Sequence, residues 1–539
     1  MTSRSCQVSK AWRSLVYDGQ LWTQLPKLPP SVLTRLSESA GGFVRGIDFT
    51  GLSELSDDAL LEVTDGLSID PTIPSGLSST RITTLNLQGC TALSTRALHY
   101  LLVRAPALQT LCVKGLSAVL NSTCAILSTY CPALSSLDMS RCINLDGDGI
   151  RTLATSTLDR GDTLRLKVLR LTWLGRVTDD MMRSLGKAAP LLEVLDLSYA
   201  APLHNSAIEA FVSLTEEEAQ HVESVQLTAR EAGRDPADPN RYWKRVTRLR
   251  HLAFSSCMLL TDHACSHLAH AVPKLEFLEL AGIGADLQDD GLVRLFGTTP
   301  YIRRVDLEDA HEITDSVLAA LTPGPDEGAT PARRGAPPPP PQPGHALEHL
   351  VISHAGNVSN EALLALVRGC PRLRVLEADN TRMNGAVMRE FVQRARERRL
   401  VDPYLAAIDC RGIGEHAVRD LAAHTRPRRG WRAWAARDLK FLDGRDEEGL
   451  GVGQDECDES RVVLKTFYSW QTVDAVRAAR EKKRKSARRN GNGSGSSVGS
   501  EPDGVRTARW WAPSGRRSGA VSPTIGPGGV SQGEGCTIM

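Results

Sequence analysis

The sequence predicts an α/β solenoid, with parallel strands on a concave face and helices on a convex one. A phrase of the form L-x-x-L-x-L-x-x-C recurs from ITTLNLQGC at Ile82 through LSSLDMSRC at Leu134 and LRHLAFSSC at Leu249 to LRVLEADNT at Leu373. Successive starts lie 26 or 27 residues apart at 108 to 134, 166 to 192, 249 to 275, 275 to 302 and 347 to 373, a fixed period that marks a repeat array. Most phrases run on through Ser, Thr or Asp into a helical stretch such as LTDHACSHLAHAVPKL. Each phrase alternates apolar and outward residues, the two-residue period of a strand. One strand and one helix cannot bury their apolar faces alone, so the units must stack.

The elements follow in chain order. Residues 6–25, CQVSKAWRSLVYDGQLWTQL, place Val8, Trp12 and Leu15 at helical spacing. A second apolar group, Leu21, Trp22 and Leu25, follows the Asp18-Gly19 turn. On physical grounds alone this is an amphipathic cap over the open end of the stack. Repeats are expected over residues 43–430, about twelve of them, beginning with an atypical unit at Gly46 and ending with a weaker one, LAAIDCRGI, at Leu405. Two insertions break the period. Residues 215–247 hold at most one degenerate unit, VESVQL, and then a polar loop. Residues 321–346 carry nine prolines in 26 positions, which forbids a helix and favours an extended loop. Within that loop Arg334, Pro337 and Pro340 have the spacing that an SH3 groove accepts, although a tolerated surface insertion explains them as well. Residues 431–470 are expected to cap the far end through Val462, Val463, Leu464, Phe467, Tyr468 and Trp470. Residues 471–539 then form a basic helix and a disordered tail ending in CTIM.

Composition narrows the function classes. Hydrophobic residues make up 41% of the chain and charged residues 24%, which excludes wholesale disorder. No stretch approaches 18 uncharged apolar residues, so no membrane-spanning helix is predicted, and the first 19 residues lack the apolar core of a secretory signal. A cytoplasmic location is expected, with the nucleus as the alternative. The net charge of +1 hides an asymmetry: residues 465–539 hold 13 Lys/Arg against 5 Asp/Glu, or +8, leaving −7 on the first 464. Those last 75 residues also contain no leucine, so folding should end near Leu464. The 12 cysteines include no C-x-x-C pair, and they sit at repeat positions, as Cys90, Cys142 and Cys257 do at the ends of their phrases.

The phrase, its helix and the C-P-x-L openings at Cys131 and Cys370 resemble the cysteine-containing leucine-rich repeats of F-box proteins. Residues 6–25 resemble the second half of an F-box, whose ending is V-C-x-x-W-x-x-L followed by D-x-x-L-W-x-x-L, with Ser9 in place of its cysteine. Ala200, Ala310 and Thr381 depart from the cysteine slot, and the family's first helix, opening with L-P-x-E, has no counterpart before Met1. The resemblance implies a partial F-box at residues 1–30, with Val8, Trp12, Leu15, Leu21, Trp22 and Leu25 docking on a Skp-family adaptor and its cullin complex. It implies a substrate-recognition subunit of an SCF-type ubiquitin ligase, with no catalytic residues and no cofactor of its own. The alternative is a non-ligase repeat protein that sequesters a regulator, as mitotic-exit antagonists with similar repeats do.

No P-loop lysine motif, G-x-G-x-x-G or H-E-x-x-H is present, and the one G-x-S-x-G string, residues 495–499, lies in a glycine/serine linker. His263, His267 and His270 with Cys265 come nearest to a metal set, but no acidic ligand completes it, so no metal is expected. Binding is the chemistry left, and the residue between the last two apolar positions of each phrase should face the hollow. That column reads Asn86, Cys112, Asp138, Arg170, Asp196, Ala253, Glu279, Asp306, Val351, Glu377 and Asp409, six acids of eleven. Glu308 and Asp379 add to it from the neighbouring column, and a basic segment of a target protein is the expected ligand. The run of residues 482–489, with Lys482, Lys483, Arg484, Lys485, Arg488 and Arg489, reads equally as a nuclear import signal, a membrane-surface patch or a solvated helix end. It lacks interleaved aromatics, so nucleic acid is not an expected partner. Cys536 opens a C-a-a-X box with Met539 in the position that favours farnesyl transfer. A prenyl chain with the basic run would give membrane attachment.

Overall fold

A computed structural model describes residues 9–10, 21–25, 28–69, 78–324, 341–426 and 460–466, all within the unit Met1–Glu481. Val8, Trp12, Leu15, the Arg334–Pro340 spacing, the basic run and Cys536 lie outside these residues. The described strands form one parallel sheet of fifteen, with a separate sheet of three. Twelve of the fifteen come from the repeats, beginning with Gly46–Asp48 and ending with Tyr404–Ala407. In each the middle residue is buried, as Leu85, Leu137, Leu278 and Leu376 are. The helices behind them start on side-chain caps, among them Ser94, Thr178, Thr314 and Ser359, which satisfy otherwise orphaned backbone N–H groups. One apolar core runs from Leu25 to Leu464. Strands stack at about 4.8 Å and helices at about 8–10 Å, so strands gather on the inner side and the array curves around them.

Two backbone devices repeat with the units. The eighth residue of all twelve phrases is left-handed, with φ between 52° at Asn380 and 81° at Gly89. This turns the chain out of the strand, and eight of the twelve units do it without glycine, at Arg141, Trp173, Tyr199, Ser256, Asp309, His354, Asn380 and Asp409. The ninth residue points inward. Cys90, Cys142, Cys257 and Cys410 each donate a thiol hydrogen bond at 3.1–3.3 Å to the sixth-position carbonyl of the preceding phrase, on Phe49, Val113, Leu197 and Ala378. The cysteine slot therefore ties unit to unit, and burial pushes the thiols of Cys142 and Cys257 up to about 11 and 12.

The left-handed residue also corrects the register of the last repeat. Leu405 pairs with Leu376 and Ala406 with Glu377, so the phrase is DPYLAAIDC, with Cys410 in the cysteine slot. Asp409 is its turn residue and does not belong to the concave column.

The insertion at residues 215–247 is not a repeat, and its polar loop, residues 229–240, joins two strands of a separate sheet. Ser213–Leu214, Ser224–Thr228 and Arg241–Arg245 form an antiparallel sheet with Arg241–Arg245 in the middle. It sits on the helix side: Lys244 donates to the carbonyls of Ser266 and Ala269 at the end of the Asp262–Leu268 helix, at 2.9 and 3.3 Å. Val194–Asp196 pairs directly with His251–Ala253, so the insertion leaves the parallel sheet unbroken. Arg304–Asp306 likewise pairs directly with His349–Val351 across the proline-rich segment. At the ends, Gln24–Leu25 pairs with Gly46–Asp48, and Val462–Thr466 pairs with Tyr404–Ala407 and Thr425–Arg426.

Candidate functional site

The hollow is lined by three columns, because the third, fifth and seventh residues of each phrase share a face. The fifth is the column read from sequence. The third adds His251, Arg304 and His349, and the seventh adds Lys114, Glu308 and Asp379.

In the second half the acids are engaged, and all but Glu308 are half-buried. His349 Nε2 donates to Glu377 Oε1 at 2.9 Å, and His251 Nε2 stands 3.4 Å from Glu279 Oε1. That contact holds the Glu279 carboxyl below its usual range. Arg304 lies 3.6 Å from Asp306. Burial raises Asp306, which also accepts the Glu308 N–H at 3.3 Å. Burial raises Glu308 and Asp379 too, reinforced by neighbouring carboxylates. Asp379 accepts the Ile408 N–H at 2.6 Å. The structure thus brings Glu279, Asp306, Glu308, Glu377 and Asp379 onto one face. It surrounds them with a cation and two histidines that single-column reading missed, although their place two residues upstream of the acids put them on the same side.

The first half differs. Asp138 and Asp196 each accept a backbone N–H two residues on, from Ser140 and Ser198, at 3.0 Å. Lys114, Arg141 and Arg170, from three successive units, have no side-chain partner among the described residues. Beside them the rings of Trp173 and Tyr199 stack at 5.1 Å with planes 10° apart. They are 57% and 45% exposed, and Ile143 (83%), Met258 and Leu259 are also exposed, each just after the turn residue of its phrase. An aromatic in a slot that otherwise holds mainly glycine or polar residues was the sequence signal for this platform.

The sequence-predicted adaptor residues divide. Leu21 is 61% exposed, whereas Leu25 is 1% exposed within the end strand and Trp22 packs on the core. Leu25 therefore closes the stack and offers no surface to an adaptor. His267 is drawn down to about 4 by burial, although Glu209 lies 3.8 Å away. Among the described residues no group of three or more His, Cys, Asp or Glu is placed to hold a metal ion.

No family model and no curated protein matches the chain. Solved structures do resemble it. Yeast Rad7 in complex with Elc1 is 16% identical with a TM-score of 0.47, over 77% of this chain and 94% of that one. The leucine-rich repeat-containing protein LegL7 from Legionella pneumophila is 13% identical with a TM-score of 0.32, over 68% and 96%. An internalin, InlF, from Listeria monocytogenes is 11% identical with a TM-score of 0.35, over 69% and 85%.

Proposed function

We propose that this leucine-rich-repeat solenoid is the substrate-recognition subunit of an SCF-type ubiquitin ligase, presenting a target protein while its partners catalyse the transfer. The observation that carries the reading is the F-box-like ending at residues 6–25, joined without a spacer domain to the first strands of the stack. The hollow supports it as a recognition surface, with carboxylates suited to a basic target segment in its second half and an exposed aromatic platform in its first. Prenylation at Cys536 together with residues 482–489 would hold the complex at a membrane surface.

The second reading, a repeat protein that sequesters a regulator without a ligase, draws support from Leu25 and Trp22, which the solenoid core takes up. Affinity purification of the full chain from its native cells separates the two. The ligase reading expects a Skp-family adaptor to co-purify and to be lost on Trp12→Ala with Trp22→Ala. An unmodified chain that retains its target but no adaptor would establish sequestration instead.

A further inference from the structure

Between the inserted sheet and the helix side lies a cavity that target recognition leaves unused. Its volume is about 510 Å³, within the range of small-molecule sites. Pro190, Leu191, Leu214, Val222 and Val246 supply apolar walls, and Arg245 enters at the end of the middle inserted strand. Arg245 is only 8% exposed, its Nη1 has no hydrogen-bond partner, and it makes no ion pair among the described residues. The opposing charge it feels is that of Glu218. That carboxylate is already paired with Lys187 and accepts the Thr215 N–H at 3.1 Å.

A guanidinium keeps its proton at neutral pH, so the chain carries an unmatched charge in a low-dielectric place, one of the costlier arrangements a fold can hold. Gly186 makes the space: a Cβ there would stand 2.7 Å from Arg245 Nη1 and 2.3 Å from the Phe211 carbonyl oxygen. The lining holds three cations, Lys187, Arg245 and Arg248, against two acids, Glu218 and Glu223, an excess of one positive charge with His221 left out of the count. A planar guanidinium fork matches a carboxylate through two parallel hydrogen bonds.

We propose that this cavity binds a small amphipathic carboxylate, its head paired with Arg245 and its apolar chain laid against Leu191, Leu214 and Val222. A single charge on an apolar body fits both the charge excess of one and the walls. Burial also lowers the Arg245 pKa, in keeping with a cation that lacks its counter-ion.

Isothermal titration of the full chain with decanoate below its micellar concentration tests this. One-to-one binding is expected, with decanol at least tenfold weaker because it lacks the charge. Arg245→Met should weaken decanoate at least tenfold and leave the melting temperature of the unliganded protein unchanged or higher, since the unmatched charge has gone. Leu191→Trp, which keeps Arg245 and fills the cavity, should also abolish binding, and reads the site if Arg245→Met fails to fold. Equal binding of decanol and decanoate, or undiminished binding by either variant, overturns the proposal. So does a chain that ignores decanoate but binds a peptide with a C-terminal leucine carboxylate, which would assign the cavity to a protein partner.

Discussion

The two halves of the hollow share one backbone and carry different chemistry. Over the units of Thr110–Cys112 to Val194–Asp196, three cations have no side-chain partner among the described residues, and Trp173 and Tyr199 form an exposed stack. Around Arg304–Asp306 and Val375–Glu377, five acids crowd one face, and three of them, Glu279, Asp306 and Glu377, are met by His251, Arg304 and His349. The scaffold tolerates both because the residues that build it occupy the first, fourth and sixth positions and the cysteine slot. The third, fifth and seventh positions bear little of the core. A solenoid of this kind can therefore pair an apolar anchor point in one segment with an electrostatic track in another.

The largest effect should come from neutralising the track. Glu279→Gln, Asp306→Asn and Glu377→Gln together should weaken a lysine-rich twelve-residue peptide by about tenfold or more, about 1.4 kcal/mol, in a low-salt titration. Unchanged affinity would show that the acids serve only their histidine and arginine neighbours. A smaller effect is expected at the platform. Trp173→Ala should cost about 0.5–1.5 kcal/mol in denaturant unfolding, through loss of the Tyr199 stack. Binding of the lysine-rich peptide should not change; if it weakens, the halves act as one surface and the contrast between them fails.

The smallest effect concerns Asp306, which separates burial from attraction. Its raised carboxyl contributes stability below its ordinary value of 3.8 and loses that contribution as pH rises through the folded value. Asp306→Asn never ionises and keeps the acceptor for the Glu308 N–H. It should therefore melt about 1–2 °C above the unmodified protein at pH 7, with the gain gone below pH 3.8. A lower melting point at pH 7 would mean that Arg304 outweighs the burial of the charge.

Much of the site was legible because the concave face repeats every second residue. Once a phrase is found, Glu279, Asp306 and Glu377 follow from counting. Asp409 was misplaced because LAAIDCRGI matches the apolar pattern as well as DPYLAAIDC does when read alone. Only pairing of Leu405 with Leu376 chose between them. Counting does not show how deep the acids sit: Asp306 and Asp379 are half-buried, and burial raises both carboxyls.

The sequence by itself determined the repeating strand and helix, the inward apolar column and the thiol slot, because each is a local pattern with a short period. The stack decided what stands beside what. His349 reaches Glu377 across 28 residues and Trp173 meets Tyr199 across adjacent units, contacts made by lateral packing that no local period encodes. The inserted sheet went unread for the same reason. Its strands pair with one another and its Lys244 finds the end of a helix in the following repeat. The buried Arg245 and its cavity exist only after those separate segments have come together.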